Sequence, residues 1–152
     1  MVDGRGEFLS NATTKAIDYL EHQNKPYFLV IEGSQIDWGG HSNDGEYLVS
    51  EVLDFDKVIG YVLDYAQKQG NTLVVVTADH ETGGFTLAGE PKEGPYAQRY
   101  NDYNSINPVF STNGHSGTMV PVFADGPFSE SFGGVYENTH IYDLFRKACG
   151  LD

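Results

Sequence analysis

Tyr27-Phe28-Leu29-Val30-Ile31-Glu32-Gly33-Ser34-Gln35-Ile36-Asp37 opens as an unbroken apolar run and turns polar within a few residues. Five such residues in a row after Pro26 read as a strand buried on both faces, because a half-exposed strand would alternate. A second run of the same texture spans Thr72 to Ala78. Between them, from Gly45 to Gln69, Leu48, Val52, Phe55, Ile59, Val62, Leu63 and Ala66 recur at helical spacing. Gly70-Asn71 closes that helix, since both residues tolerate the left-handed backbone at which helices end. Apolar strands separated by a helix point to parallel pairing with helices on the sheet faces.

Working outward, Ala12, Ala16, Ile17 and Leu20 place a helix over Ser10 to His22, with Ser10 or Asn11 as cap and Pro26 as stop. Residues 1–9 read as irregular. Met119-Val120-Pro121-Val122-Phe123-Ala124 reads as a further short strand, and Asn138 as the cap of a last helix carrying Ile141, Leu144, Phe145 and Ala148. Residues 89–112 hold Gly, Pro, Asn and Tyr without a period and read as a long surface excursion. The order is α-β-α-β-loop-β-α, an α/β protein whose 152 residues form one domain. A start on a helix, with no strand before it, suggests a piece of something larger.

Nine basic against 22 acidic residues give a net charge of −13. That field disfavours nucleic acid and anionic membranes, which are bound chiefly through Lys and Arg. It would also repel a phosphate ester unless bound cations intervene. No run approaches the roughly 18 apolar residues of a membrane span, and Met1 to Gly6 lacks the apolar core of a signal peptide. Cys149 is the single cysteine, so no internal disulfide and no paired-cysteine metal motif exists.

Polar clusters follow both strong strands: Glu32 to His41, then Asp79-His80-Glu81-Thr82-Gly83-Gly84. In open α/β sheets ligands sit beyond the carboxyl ends of strands, so the two clusters are expected at one edge. A third cluster, Asn113-Gly114-His115-Ser116-Gly117, precedes the last strand. Carboxylate and imidazole together suit zinc. Asp37 and His41 are four apart, which one helical turn would put on one face, although Gly39 and Gly40 weaken the case for a regular helix. His115 could complete a three-ligand set, Asp79 and His80 would need a bent backbone, and Glu32 suits magnesium, which prefers oxygen. Taken singly, each of these residues is more often a solvated or hydrogen-bonding loop residue, so the pattern alone makes a metal site plausible and no more.

The string Val30 to His41, then Thr77-Ala78-Asp79-His80-Glu81-Thr82-Gly83-Gly84, then Gly114-His115-Ser116, resembles the alkaline phosphatase family in content and order. The resemblance runs from about Ser10 to the C-terminus, corresponds to the final third of such an enzyme, and is weakest over 89–112, where the family varies. It implies a partial three-layer α/β/α sandwich with a mostly parallel sheet. Asp37, His41 and His115 would be the protein ligands of one zinc, Asp79 and His80 two ligands of a second, and Glu32 a magnesium ligand. His22 and His140 match no ligand position.

The implied reaction is phosphate monoester hydrolysis by in-line displacement between two zinc ions, with an arginine holding the phosphate. The family's serine nucleophile lies in an Asp-Ser-Ala context, and no such string occurs here. The expectation is therefore a C-terminal portion that supplies metal ligands but not the nucleophile. Such a chain would be inactive alone, and would self-associate or pair with the N-terminal portion. Export to a periplasm or the cell exterior is implied by resemblance only. The alternatives are a stand-alone metal-binding or interaction module, or a phosphodiesterase or phosphomutase of the same superfamily.

Overall fold

A computed structural model describes residues 6–151; residues 1–5, with most of the irregular start expected over 1–9, lie outside the described residues, as does residue 152. In chain order the elements are α1 (Phe8–Glu21), α2 (Gln35–His41), α3 (Gly45–Gln69), β1 (Val74–Thr77), β2 (Glu81–Thr82), β3 (Thr86–Glu93), a 3₁₀ turn (Pro95–Ala97), β4 (Arg99–Val109), β5 (His115–Ser116), β6 (Val122–Asp125), a second 3₁₀ turn (Ser129–Phe132) and α4 (His140–Ala148). The chain divides into two compact units. One comprises Met1–Gly33, Val52–Asp79 and Val120–Asp152; the other comprises Ser34–Glu51 and His80–Met119.

The first unit holds the larger core. Leu9, Thr13 and Ile17 are buried at intervals of four on α1, the stripe that helical periodicity demands. Val58 and Ala66 are buried two turns apart on α3, with Val74, Phe132 and Leu144 also inside. Phe145 of α4 meets Phe28 edge-on at 5.0 Å between ring centroids and Phe132 at 5.6 Å. β1 pairs with β6 from Val74↔Asp125 to Thr77↔Val122, and the Thr77 hydroxyl donates to the Pro121 carbonyl at 3.1 Å.

Helices combined with sheet bear out the α/β class, but every described ladder is two-stranded and antiparallel. The strand expected at 27–31 makes no ladder among the described residues. A continuous apolar run reports a tendency to be buried, not which neighbour will hydrogen-bond it, and here Val30 is 75% exposed.

In the second unit, α2 is a regular helix across the glycine pair that made it doubtful, and α3 starts four residues later. Residues 89–112 are more ordered than their composition suggests. β3 and β4 form an antiparallel hairpin from Thr86↔Val109 to Glu93↔Arg99, with a register shift at Gly89/Glu90. That irregularity and the exposure of both faces erase the alternation by which a strand is read. Lys92 ties the hairpin across its strands to Asp102 at 2.7 Å.

Tyr65 on α3 donates to Glu21 of α1 at 2.5 Å, and the Tyr27 hydroxyl lies 3.1 Å from that of Tyr65. Burial first, then the bond to Glu21, pushes the Tyr65 phenol well above the ordinary tyrosine value. A folded-state value raised above the unfolded one, about 10, means stability that is fully present below about pH 10 and lost as pH rises beyond it. In an alkaline absorbance titration, one of the ten tyrosines should ionise only with unfolding, and Tyr65→Phe should remove that late phase. Ionisation of all ten in a single step near pH 10 would contradict this assignment.

Candidate metal centre

The site lies within the second unit. α2 carries Asp37 and His41 on successive turns, with Asp37 Oδ2 3.4 Å from His41 Nε2. The helix can sit where it does because Gly39 and Gly40 have no side chains. A Cβ on Gly40 would stand 2.9 Å from the Thr82 side chain, and one on Gly39 2.8 Å from the Leu48 backbone. Both glycines are buried, so the residues that weaken the helix in isolation are what let it approach β2 and α3.

β2 and β5 form a ladder of two residue pairs, Glu81↔Ser116 and Thr82↔His115. It brings His115 Nε2 to 3.2 Å from His41 Nε2 and 3.7 Å from Asp37 Oδ1. The His80 ring stacks on His115 at 3.6 Å between centroids. One ligand atom from each of Asp37, His80 and His115 falls within 4.8 Å of the others.

Hydrogen bonding decides what these rings offer. His41 Nδ1 lies 2.7 Å from the Asn113 carbonyl. A carbonyl only accepts, so Nδ1 carries the proton and a neutral His41 presents a bare Nε2 lone pair to the centre. His115 Nε2 lies 3.2 Å from His41 Nε2, and the two imidazoles approach different Asp37 oxygens, His41 at 3.4 Å from Oδ2 and His115 at 3.7 Å from Oδ1. Carboxylate and imidazole are donor types that zinc takes.

Three further residues organise the site and were not legible as such. The Thr82 hydroxyl donates to Asp37 Oδ1 at 2.5 Å and lies 3.2 Å from His80 Nδ1. With its proton given to Asp37, that oxygen can accept from His80 Nδ1–H, which would leave His80 Nε2 bare as a potential ligand. Asn113 acts through its backbone, which no side-chain pattern reveals. Glu81 accepts from the Phe85 amide at 2.8 Å, the Gly84 amide at 3.2 Å and the Ser116 hydroxyl. The Ser116 bond, followed by those amides and working against partial burial, holds its carboxyl below the usual range. Gly84 at φ +56° allows this turn, and a side chain there would collide with Ser111 Oγ.

Of the other expected ligands, Glu32 and Asp79 belong to the first unit. His22 bonds its own helix at the Asp18 carbonyl, 2.6 Å away, and His140 lies 3.6 Å from Asp143; both belong to the first unit.

An alkaline phosphatase family model matches residues 6–107. The chain belongs to the alkaline phosphatase family. Alkaline phosphatase 4 of Bacillus subtilis is 30% identical over 95% of the chain and 44% of its own length. The Escherichia coli alkaline phosphatase is 31% identical over 94% of the chain and 32% of its own. Among solved structures, the alkaline phosphatase of the Antarctic bacterium TAB5 superposes with a TM-score of 0.88 at 55% identity, covering 98% of the chain and 43% of that structure. The chain thus spans less than half the length of these relatives.

The geometry makes Thr82 the brace of the site. Thr82→Val should weaken zinc binding about 10–100-fold, the usual effect of losing a hydrogen bond to a ligand. Thr82→Ser, which keeps the hydroxyl, should stay near wild type. Equal affinity of the Val variant and wild type in a chelator competition would refute that role.

Proposed function

We propose that this chain supplies the metal-binding part of a zinc-dependent phosphate monoester hydrolase. The observation that carries the reading is the clustering of Asp37, His41, His80 and His115, with His41 Nε2 3.2 Å from His115 Nε2 and one ligand atom each of Asp37, His80 and His115 within 4.8 Å of one another. Asp37, His41 and His115 would hold one zinc, Asp79 and His80 two positions of a second, and Glu32 a magnesium ion. A TAB5 alkaline phosphatase variant has been solved with magnesium bound in its M3 site, which supports the magnesium assignment. The monoester class is supported by the family and by a 32% identical relative, streptomycin-6-phosphate phosphatase of Streptomyces griseus.

Bound zinc would supply a Lewis acid that polarises a phosphoryl oxygen and activates a hydroxyl or water as nucleophile. The residues of this chain prepare for that role. Asp37 offers one oxygen to Thr82 and keeps the other toward His41. His41 is fixed in one tautomer by the Asn113 carbonyl. In a protein of net charge −13, the cations would also be what admits an anionic ester.

The chain carries no Asp-Ser-Ala string, so in this proposal the nucleophile comes from a segment outside it and the isolated chain does not turn over esters. Residues 1–152 act as one part of the catalytic domain, and 89–112 as a variable insertion. Association with the segment that holds the nucleophile, or with a second copy, would complete the fold, in a protein working in the periplasm or cell exterior. Among the described residues no helix is long and apolar enough to cross a membrane.

Titrating zinc into the metal-stripped chain should show about one tight site, lost in His115→Ala. Turnover of a chromogenic phosphate monoester should stay at background. Absence of specific uptake would refute a preformed site. Steady zinc-dependent hydrolysis abolished by His115→Ala would show that the nucleophile lies within the chain.

A further inference from the structure

The β2–β5 ladder has only two residue pairs, far fewer than an isolated strand pair needs to persist in water. Yet it sets the relative position of His80 and His115, whose rings lie 3.6 Å apart and 20° from parallel. Something beyond the ladder must hold the two segments in register.

Glu81 is placed to do so. It follows His80 directly, and its ladder partner Ser116 follows His115 directly. One carboxylate oxygen accepts from the Phe85 amide at 2.8 Å; the other accepts from the Gly84 amide at 3.2 Å and from the Ser116 hydroxyl. Three segments therefore end on one side chain: β2, the turn that leaves it, and β5. Thr82 points the opposite way along the strand, to Asp37 and His80, as strand alternation requires. Glu81 itself donates nothing to the centre, and its two oxygens are committed to these three donors.

We propose that Glu81 is a positioning residue that locks His80 and His115 into their stacked arrangement by tying β2 to β5 through Ser116; the consequence for metal binding rests on the zinc reading above. The rival account is that Glu81 only caps the Gly83–Gly84 turn. The two differ at Ser116. A turn cap has no use for that hydroxyl, whereas the lock is broken without it.

The test compares Ser116→Ala, Glu81→Ala and Glu81→Gln in the full chain by two readouts. The first is the imidazole NMR signals of the metal-free protein, where the stacked rings shift one another's resonances. The second is zinc affinity by chelator competition. The lock predicts that Ser116→Ala and Glu81→Ala lose the ring-current shifts and bind zinc about 10–100-fold more weakly. Glu81→Gln keeps an acceptor for Phe85 and a partner for the Ser116 hydroxyl but sets its NH₂ against the Gly84 N–H, and should recover part of both. Unchanged ring signals in Ser116→Ala would overturn the lock. If Glu81→Ala fails to fold, Ser116→Ala, which removes a single hydroxyl, still decides. If the wild-type chain takes up no zinc, the metal reading falls while the ring signals continue to judge Glu81.

Discussion

The hydrogen bond from Thr82 to Asp37 joins the two halves of the candidate centre, because it is a direct side-chain link between the helix that carries Asp37 and His41 and the ladder that carries His80 and His115. A hydrogen bond to a charged acceptor contributes about 1.5–3 kcal/mol, less where solvent reaches it. Its effect on geometry is larger than that figure suggests. It selects which Asp37 oxygen remains for His41, and it leaves the Thr82 oxygen free to accept from His80 Nδ1. His41 Nε2, whose lone pair is bare, lies 3.2 Å from His115 Nε2, which in its Nε2–H tautomer donates to it. A divalent cation between them would take the lone pairs of both rings instead.

Side chains, rather than long ladders, hold this region together. β2 and β5 share two residue pairs, and α2 has seven residues. Such short elements have little cooperative stability of their own. Their order comes from contacts at both ends: buried glycines that let α2 lie against Thr82 and Leu48, a carbonyl of Asn113 that fixes His41, and Glu81 bridging a turn to β5.

Val30, Phe28, Met119 and Phe123 are all more than half exposed, and among the described residues β1 is paired on one side only. The β3–β4 ladder forms across a short connection, whereas β1 and β6 pair although Thr77 and Val122 are far apart in the chain.

Much of this was legible in the sequence. Helical periodicity located α1, α3 and α4 to within a few residues, because a core-facing stripe must recur every three or four positions whatever lies opposite. The polar clusters drew attention to Glu32, Asp37, His41, Asp79, His80 and His115 as residues of suitable chemistry, and the family resemblance rather than their pattern is what proposed them as ligands. The β3–β4 hairpin was illegible, being exposed on both faces and broken in register at Gly89/Glu90. The pairing of the strands was equally hidden: an apolar run says that a strand is to be buried, while hydrogen-bond partners are chosen by segments distant in the chain. The same limit applies to Thr82, Glu81, Ser116 and the Asn113 carbonyl. Their residue types are common in turns, and only tertiary structure, by bringing positions 37, 41, 80–82 and 113–116 together, decides that a hydroxyl meets a carboxylate and a carbonyl selects a tautomer.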